Sequence, residues 1–244
     1  MKKSKKIMTV LLIAAFIFVL SGIVASNAAN KYAFPTNPAT IMEQIKAIGK
    51  DGFSFSLNQR QLDKINAILK TQFAAKYGSE GELLEKIDPE FFNSLPMIVK
   101  EDLYNVPLQL PSNQVKNNSS STSLSENQYD YLRGNGDVGM RFEAGTYIPI
   151  GAFGEAIGES GPSSAGVYYT SADANLYKYE DGDGYYLIAS EYNWKPFSHS
   201  VTAHAQSSVT TMGYYDEIGS VSCLFFDGLH ATCPANCPPT YIHY

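Results

Sequence analysis

Three cysteines and four histidines carry most of the reactive chemistry in this 244-residue chain, and all seven fall within residues 199–244. Cys223, Cys233 and Cys237 offer a thiolate nucleophile, metal ligands or a disulfide. His199, His204, His230 and His243 offer a base or further ligands. Spacing separates these options. The pattern C-x9-C-x3-C, stiffened by Pro234 and Pro238, matches no familiar zinc module even with His230 as a fourth ligand. His199 and His204 stand five apart, which on an unbroken strand turns them to opposite faces, so they share no ligand. No nucleophile turn surrounds any of the cysteines.

Other groups fail on similar grounds. Gly161-Pro162-Ser163-Ser164-Ala165-Gly166 lacks the G-x-S-x-G elbow of serine hydrolases, and Pro162 suits a turn. Asp181-Gly182-Asp183-Gly184 opens like a calcium loop, but Tyr185 and Tyr192 occupy its fifth and twelfth positions. Glu155 and Glu159 resemble a glycosidase pair in type alone, since carboxylates four apart are common. The sequence therefore assigns no catalytic residue, no metal and no cofactor.

Geometry suggests one cysteine pairing. A two-residue turn at Asp227-Gly228 sets Cys223 opposite Thr232, whereas a three-residue loop, Asp227-Gly228-Leu229, sets Phe226 opposite His230 and Cys223 opposite Cys233. The second register meets the Cα separation of about 5.5 Å that a disulfide needs. The expectation is a Cys223–Cys233 bridge, with Cys237 free or intermolecular.

Aromatic residues are the other candidate machinery. Doublets such as Tyr185-Tyr186 and Tyr214-Tyr215 must leave one ring at least partly exposed, because only one face of a strand looks into a given core. Tyr185, Tyr186, Tyr192, Trp194, Tyr214 and Tyr215 form the candidate binding surface, rings with an apolar body and a polar tip that suit sugars, peptides or a membrane interface.

The elements that position these residues change character along the chain. Residues 29–110 read as helical. Thr40 with Glu43 makes a capping box before Ile41, Ile45 and Ile48, and Gly49 stops that helix. Ser56 with Gln59 opens a longer stripe through Leu62, Ile65, Ile68, Leu69, Phe73 and Tyr77. Ser79 with Glu82 opens a third helix through Ile87, and Asp88-Pro89 restarts a turn at Phe91 and Phe92, after which Asp, Asn and Pro accumulate.

Residues 111–128 hold six Ser and four Asn with two large apolar residues, too little apolar surface to offset ordering, so they read as a flexible tether. From residue 129 to 244, where 14 of the 17 tyrosines lie, the pattern turns to strands. Asn175–Glu180 and Tyr185–Glu191 flank a hairpin turn, Val201, Ala203 and Ala205 alternate with polar residues, and Ser220–Phe226 forms another strand. The fold class is α+β: a helical N-terminal part and an antiparallel, β-sandwich-like C-terminal part.

Residues 1–28 combine a basic start (Lys2, Lys3, Lys5, Lys6), an apolar run from Val10 to Leu20 and small residues at Ser26 and Ala28, the three parts of a secretory signal cut after Ala28. Removing it leaves 14 bases and 24 acids, a net charge of −10. That balance repels phosphate backbones, so nucleic acid is excluded as a partner. Contact with a membrane and the oligomeric state stay open. The reading is a secreted, extracellular, bacteriocin-like or toxin-like antibacterial protein whose partner is a surface component or wall glycan of other bacterial cells. A secreted carbohydrate-binding module and a secreted Cys/His-dependent hydrolase are the alternatives.

Overall fold

The computed structural model describes residues 35–243 apart from 36, 72–76, 112–130, 163 and 182–183. The export signal at 1–28 and nearly all of the tether at 111–128 lie outside the described residues.

Among the described residues, five helices, with one short strand between the first two, come first. α1 (Pro38–Ile48) starts at Asn37, whose side chain accepts from the Ala39 amide, and stops at Gly49, held at φ +98°. The cap is thus Asn37 rather than Thr40: Pro38 fits the first turn, so the helix begins earlier than the Thr40 box suggests. β1 (Phe53–Ser56) follows, then α2 (Gln59–Leu69), whose reciprocal capping box joins Asn58 and Gln61. Ser56, expected as that cap, is spent on the strand. α3 (Glu80–Ile87) is capped by Ser79, and α4 (Pro89–Ser94) by Asp88 with Pro89 in its first turn, as the sequence indicates. α5 (Met97–Asn105) has no side-chain cap, which is why no sequence signal announced it.

Among the described residues, nine further strands build two antiparallel sheets. β2 (Tyr131–Phe142), β3 (Pro149–Gly161) and β6 (Ser200–Ser207) form a three-stranded sheet in the order β2-β3-β6. β4 (Val167–Glu180), β5 (Gly184–Pro196), β7 (Gly213–Glu217), β8 (Ser220–Phe225), β9 (His230–Pro234) and β10 (Cys237–Ile242) join β1 in a seven-stranded sheet. β4 is its centre: β5 pairs along one edge, and β8 then β7 pair along the other.

β4 is buried on both faces, and its alternation explains how. Thr170, Ala172, Ala174 and Leu176 look toward the three-stranded sheet, whose β3 and β6 answer with Ala152, Ala156, Val201, Ala203 and Ala205. Small residues let the sheets close: a Cβ at Gly158 would stand 2.8 Å from Val221 Cγ1. Tyr169, Ser171, Asp173, Asn175 and Tyr177 look the other way, toward the helices. The α+β class is therefore three layers: helices, the large sheet, the small sheet.

The Cys223–Cys233 bridge is not present: none of the three cysteines is in a disulfide. The loop between β8 and β9 has three residues, as expected, but they are Phe226, Asp227 and Gly228: Phe225 N–H donates to Leu229 O at 2.9 Å and Gly228 N–H to Phe225 O at 3.0 Å. A loop of this kind ends on a residue in the left-handed region, and Gly228, at φ +89°, takes that place without strain where Leu229 would not. The register moves accordingly, setting Cys223 opposite Ala231 and Cys233 opposite Val221. The two cysteines become diagonal neighbours, about 7–8 Å apart for such positions, beyond comfortable disulfide reach.

Candidate functional site

The most concentrated chemistry in the structure is a buried carboxylate. Asp102 on α5 is 0% exposed and points at the large sheet. Its Oδ1 accepts from Tyr169 Oη at 2.9 Å, from Ser222 Oγ and from His230 Nε2 at 3.1 Å; its Oδ2 accepts from Ser171 Oγ at 2.5 Å and Tyr192 Oη at 2.8 Å. Donors from β4, β5, β8 and β9 thus converge on one helix residue. Burial pushes the Asp102 pKa up, but the hydrogen bond and charge of His230, with the hydroxyls of Ser171 and Ser222, outweigh it and hold the carboxyl below its ordinary range. Burial and the Asp102 charge push the Tyr169 and Tyr192 phenols well above theirs.

The network works as a lock. Ser171 and Ser222 bond to the aspartate directly, whereas the serine of a triad bonds to the imidazole. The network fastens the helical layer to the sheet, and Asn66 adds a second fastening, its Nδ2 donating to Leu187 O at 2.9 Å and its Oδ1 accepting from Leu187 N at 2.7 Å.

Accessible polar chemistry lies elsewhere, in a cleft of about 410 Å³ bounded by β1, the start of α2, β5 and the end of β6. Gln59, Glu191, His204, Gln206, Ser207 and Ser208 supply its polar wall. Strand register positions them: His204 lies opposite Glu155 of β3, 3.6 Å from its carboxylate, and stacks on Phe153 with centroids 5.2 Å apart. Glu191 Oε1 accepts from the His204 amide at 3.3 Å, tying β5 to β6 across the cleft floor. Gln206 is further held by Arg141. Neither Glu155 nor Glu159 lines this cleft, and four residues of strand set their Cα atoms about 13 Å apart.

The six aromatics proposed as one surface divide. Tyr192, Trp194 and Tyr215 are buried at 2%, 0% and 0% exposure, so they belong to the core rather than to a surface. Tyr192 serves the Asp102 lock, Trp194 packs on Tyr169, and Tyr215 donates to Thr211 O at 2.7 Å. Tyr185 and Tyr186 are half-buried near the β4–β5 turn, where Tyr185 meets Tyr179 edge-on and Tyr186 donates to Glu180. Tyr214 is exposed against Tyr241 on the β7–β10 pair. The two doublets thus each leave ring surface outside, and on neighbouring strands: Tyr185 faces Tyr179 of β4, Lys178 of β4 lies between Tyr186 and Tyr215, and Tyr214 faces Tyr241.

The thiols are poor nucleophiles. Cys223 is 0% exposed, burial pushes the Cys233 thiol up to about 12, and burial also raises that of Cys237. Thiol titration with an aromatic disulfide under native conditions should therefore be slow and limited to Cys237, whereas three thiols should appear in guanidinium without reductant; fewer than three would restore a bridge. His199 meets Ser160 Oγ at 3.2 Å, and His243 stacks on Tyr241. Among the described residues, no group of three or more His, Cys, Asp or Glu is arranged to hold a metal ion.

Sequence reasoning missed Asp102. The signal was an acid standing among Ile98, Val99, Leu103 and Val106, all buried, at a position where helical spacing puts an apolar side chain.

No protein-family model matches the chain, and no curated protein matches it. Among solved structures, a DUF4466 family protein from Parabacteroides merdae ATCC 43184 is similar to part of it, at 8% identity over 45% of this chain and 44% of that one, with a TM-score of 0.23. The chain thus spans less than half the length of that protein, and the likeness is too slight to bear on fold or function.

Proposed function

We propose that this chain is an exported protein that binds a glycan component of the surface of other bacterial cells, and that the outcome for those cells is antibacterial, in the manner of a large bacteriocin or toxin. The observation that carries the binding reading is the cleft. Its volume of about 410 Å³ lies within the range of small-ligand sites. Its amides, hydroxyls, carboxylate and imidazole match a ligand rich in hydroxyl groups better than an apolar one. Export rests on the signal at 1–28, and the net charge of −10 after its removal keeps nucleic acid from competing. Burial of Cys223 and the high thiol pKa of Cys233 weigh against the Cys/His hydrolase.

Labelled protein should be retained saturably on whole cells and on isolated walls. The double variant Glu191→Gln/Gln206→Ala should weaken retention tenfold or more while melting like the parent, since the amide introduced by Glu191→Gln still offers an acceptor to the His204 N–H. No retention of the parent, or equal retention of the variant, would overturn the cleft reading. Growth arrest of the bound cells separates an antibacterial protein from a harmless wall-binding module.

A further inference from the structure

The β2–β3 hairpin outruns its own sheet. β6 pairs with β3 only over Ala152–Glu159, whereas β2 and β3 stay paired out to Phe142 and Pro149. Beyond the last rung shared with β6, the two strands continue as a projecting tongue. Its tip is tightly built: Glu143 N–H donates to Ile148 O at 2.9 Å, Thr146 N–H to Glu143 O at 3.0 Å, and Ile148 N–H to Thr146 Oγ1 at 3.1 Å, with Gly145 at φ +77° making the bend. This turn holds large apolar side chains outward: Tyr147 is 95% exposed, Ile148 57% and Ile150 45%.

We infer that this tip is a membrane-contact site that seats Tyr147, Ile148 and Ile150 in the interfacial layer of a lipid bilayer. Four features select lipid over a protein partner. The uncharged stretch, residues 144–150, is only seven residues and convex, whereas a stable protein interface takes about 20–30 residues a side. The hydrogen bonds within the turn lower the cost of moving its backbone out of water. A tyrosine at the apex has the amphipathic ring that favours the headgroup level, with isoleucines on either side of Pro149 to reach the acyl boundary. The one charge on the turn is the exposed Glu143 that closes it opposite Ile148, and residues 144–150 contain no Lys or Arg, so the contact draws nothing from anionic headgroups and suits a zwitterionic surface, which an acidic chain can approach. The site does not use the cleft; it shares with the proposed function only the encounter with another cell.

The test is flotation of the protein, as purified from its producing cells, with phosphatidylcholine vesicles. The parent should float with the vesicles, and the variant Tyr147→Ser/Ile148→Ser/Ile150→Ser, folded by its melting curve, should bind at least tenfold more weakly. The tryptophan introduced by Tyr147→Trp should shift to the blue on vesicles and be quenched by brominated acyl chains, a readout that Trp194, buried in the core, does not give. Equal binding by parent and triple variant, or an unquenched tryptophan, would overturn the inference. So would loss of whole-cell binding by the triple variant when neither protein floats, since the partner would then be a protein. Glu191→Gln/Gln206→Ala should float like the parent, so the cleft reading and the tip reading fail separately.

Discussion

Replacing Asp102 with alanine is expected to cost about 3–5 kcal/mol, the range for stranding the partners of a buried charge. For a chain of this size that is a fall in Tm of roughly 6–20 °C. The magnitude follows from the donors. Tyr169, Ser171, Tyr192, Ser222 and His230 lose their common acceptor at once, and all of them but the partly exposed His230 are buried. Asp102→Asn should be milder, because it keeps one acceptor and the hydroxyls can turn to accept from its amide. The loss should be uneven: amide exchange should rise in α1 to α5 before it rises in β2, β3 and β6, since the lock joins helices to the large sheet. A melting curve of Asp102→Ala within 1–2 °C of the parent would show that the network contributes little.

The second large effect is the response to pH. Burial raises the carboxyls of Glu80, Glu101 and Asp216 to about 7, and those of Asp173 and Glu217 well above their usual values. Glu217 is the extreme case: it is 0% exposed, burial and the charge of Asp173 raise it against the Cys237 amide that lowers it, and a Cβ at Gly136, Gly154 or Gly219 would overlap its side chain. Between the unfolded values near 4 and the folded values near 7, the folded chain holds protons that the unfolded chain has released. Stability is therefore fully present below the unfolded pKa and is lost as pH rises through about 7.

Asp102 works in the opposite direction, contributing above its unfolded value and losing that contribution only as pH falls through its lowered folded one. With five carboxyls raised and one lowered, the optimum should lie near pH 4, roughly at the unfolded carboxyl values, and stability should fall steadily from there to about pH 7. Glu217→Gln, equal in shape and unable to ionise, should raise Tm at pH 8 and leave it nearly unchanged at pH 5. A flat Tm between pH 5 and 8, or a variant that melts lower at both, would contradict this account.

What the sequence disclosed was local. Ser79, Asp88-Pro89 and Gly49 act where their chemistry places them, because a cap or a left-handed stop needs only its immediate neighbours. Where two capping residues competed, as Asn37 with Thr40 and Asn58 with Ser56, the choice was made by Pro38 and by β1's pairing with β5, and the second of these is a contact between distant segments. The same limit explains the cysteines: a one-residue displacement of the β8–β9 loop, set by which residue tolerates a positive φ, turned an opposed pair into a diagonal one. The cleft was illegible because its polar wall comes from segments near residues 59, 191 and 206 that meet only through the register of β3, β5 and β6. Asp102 was legible in retrospect alone, as an acid in an apolar helical stripe whose five donors lie 67 to 128 residues away.

Binding to other cells and contact with their membranes both require the chain to work outside the cell that makes it. Edman sequencing of the protein recovered from the culture medium tests this directly. Cleavage after Ala28 predicts Ala29-Asn30-Lys31-Tyr32 as the first four residues. A sequence beginning at Met1, or protein confined to the cells with none in the medium, would contradict export.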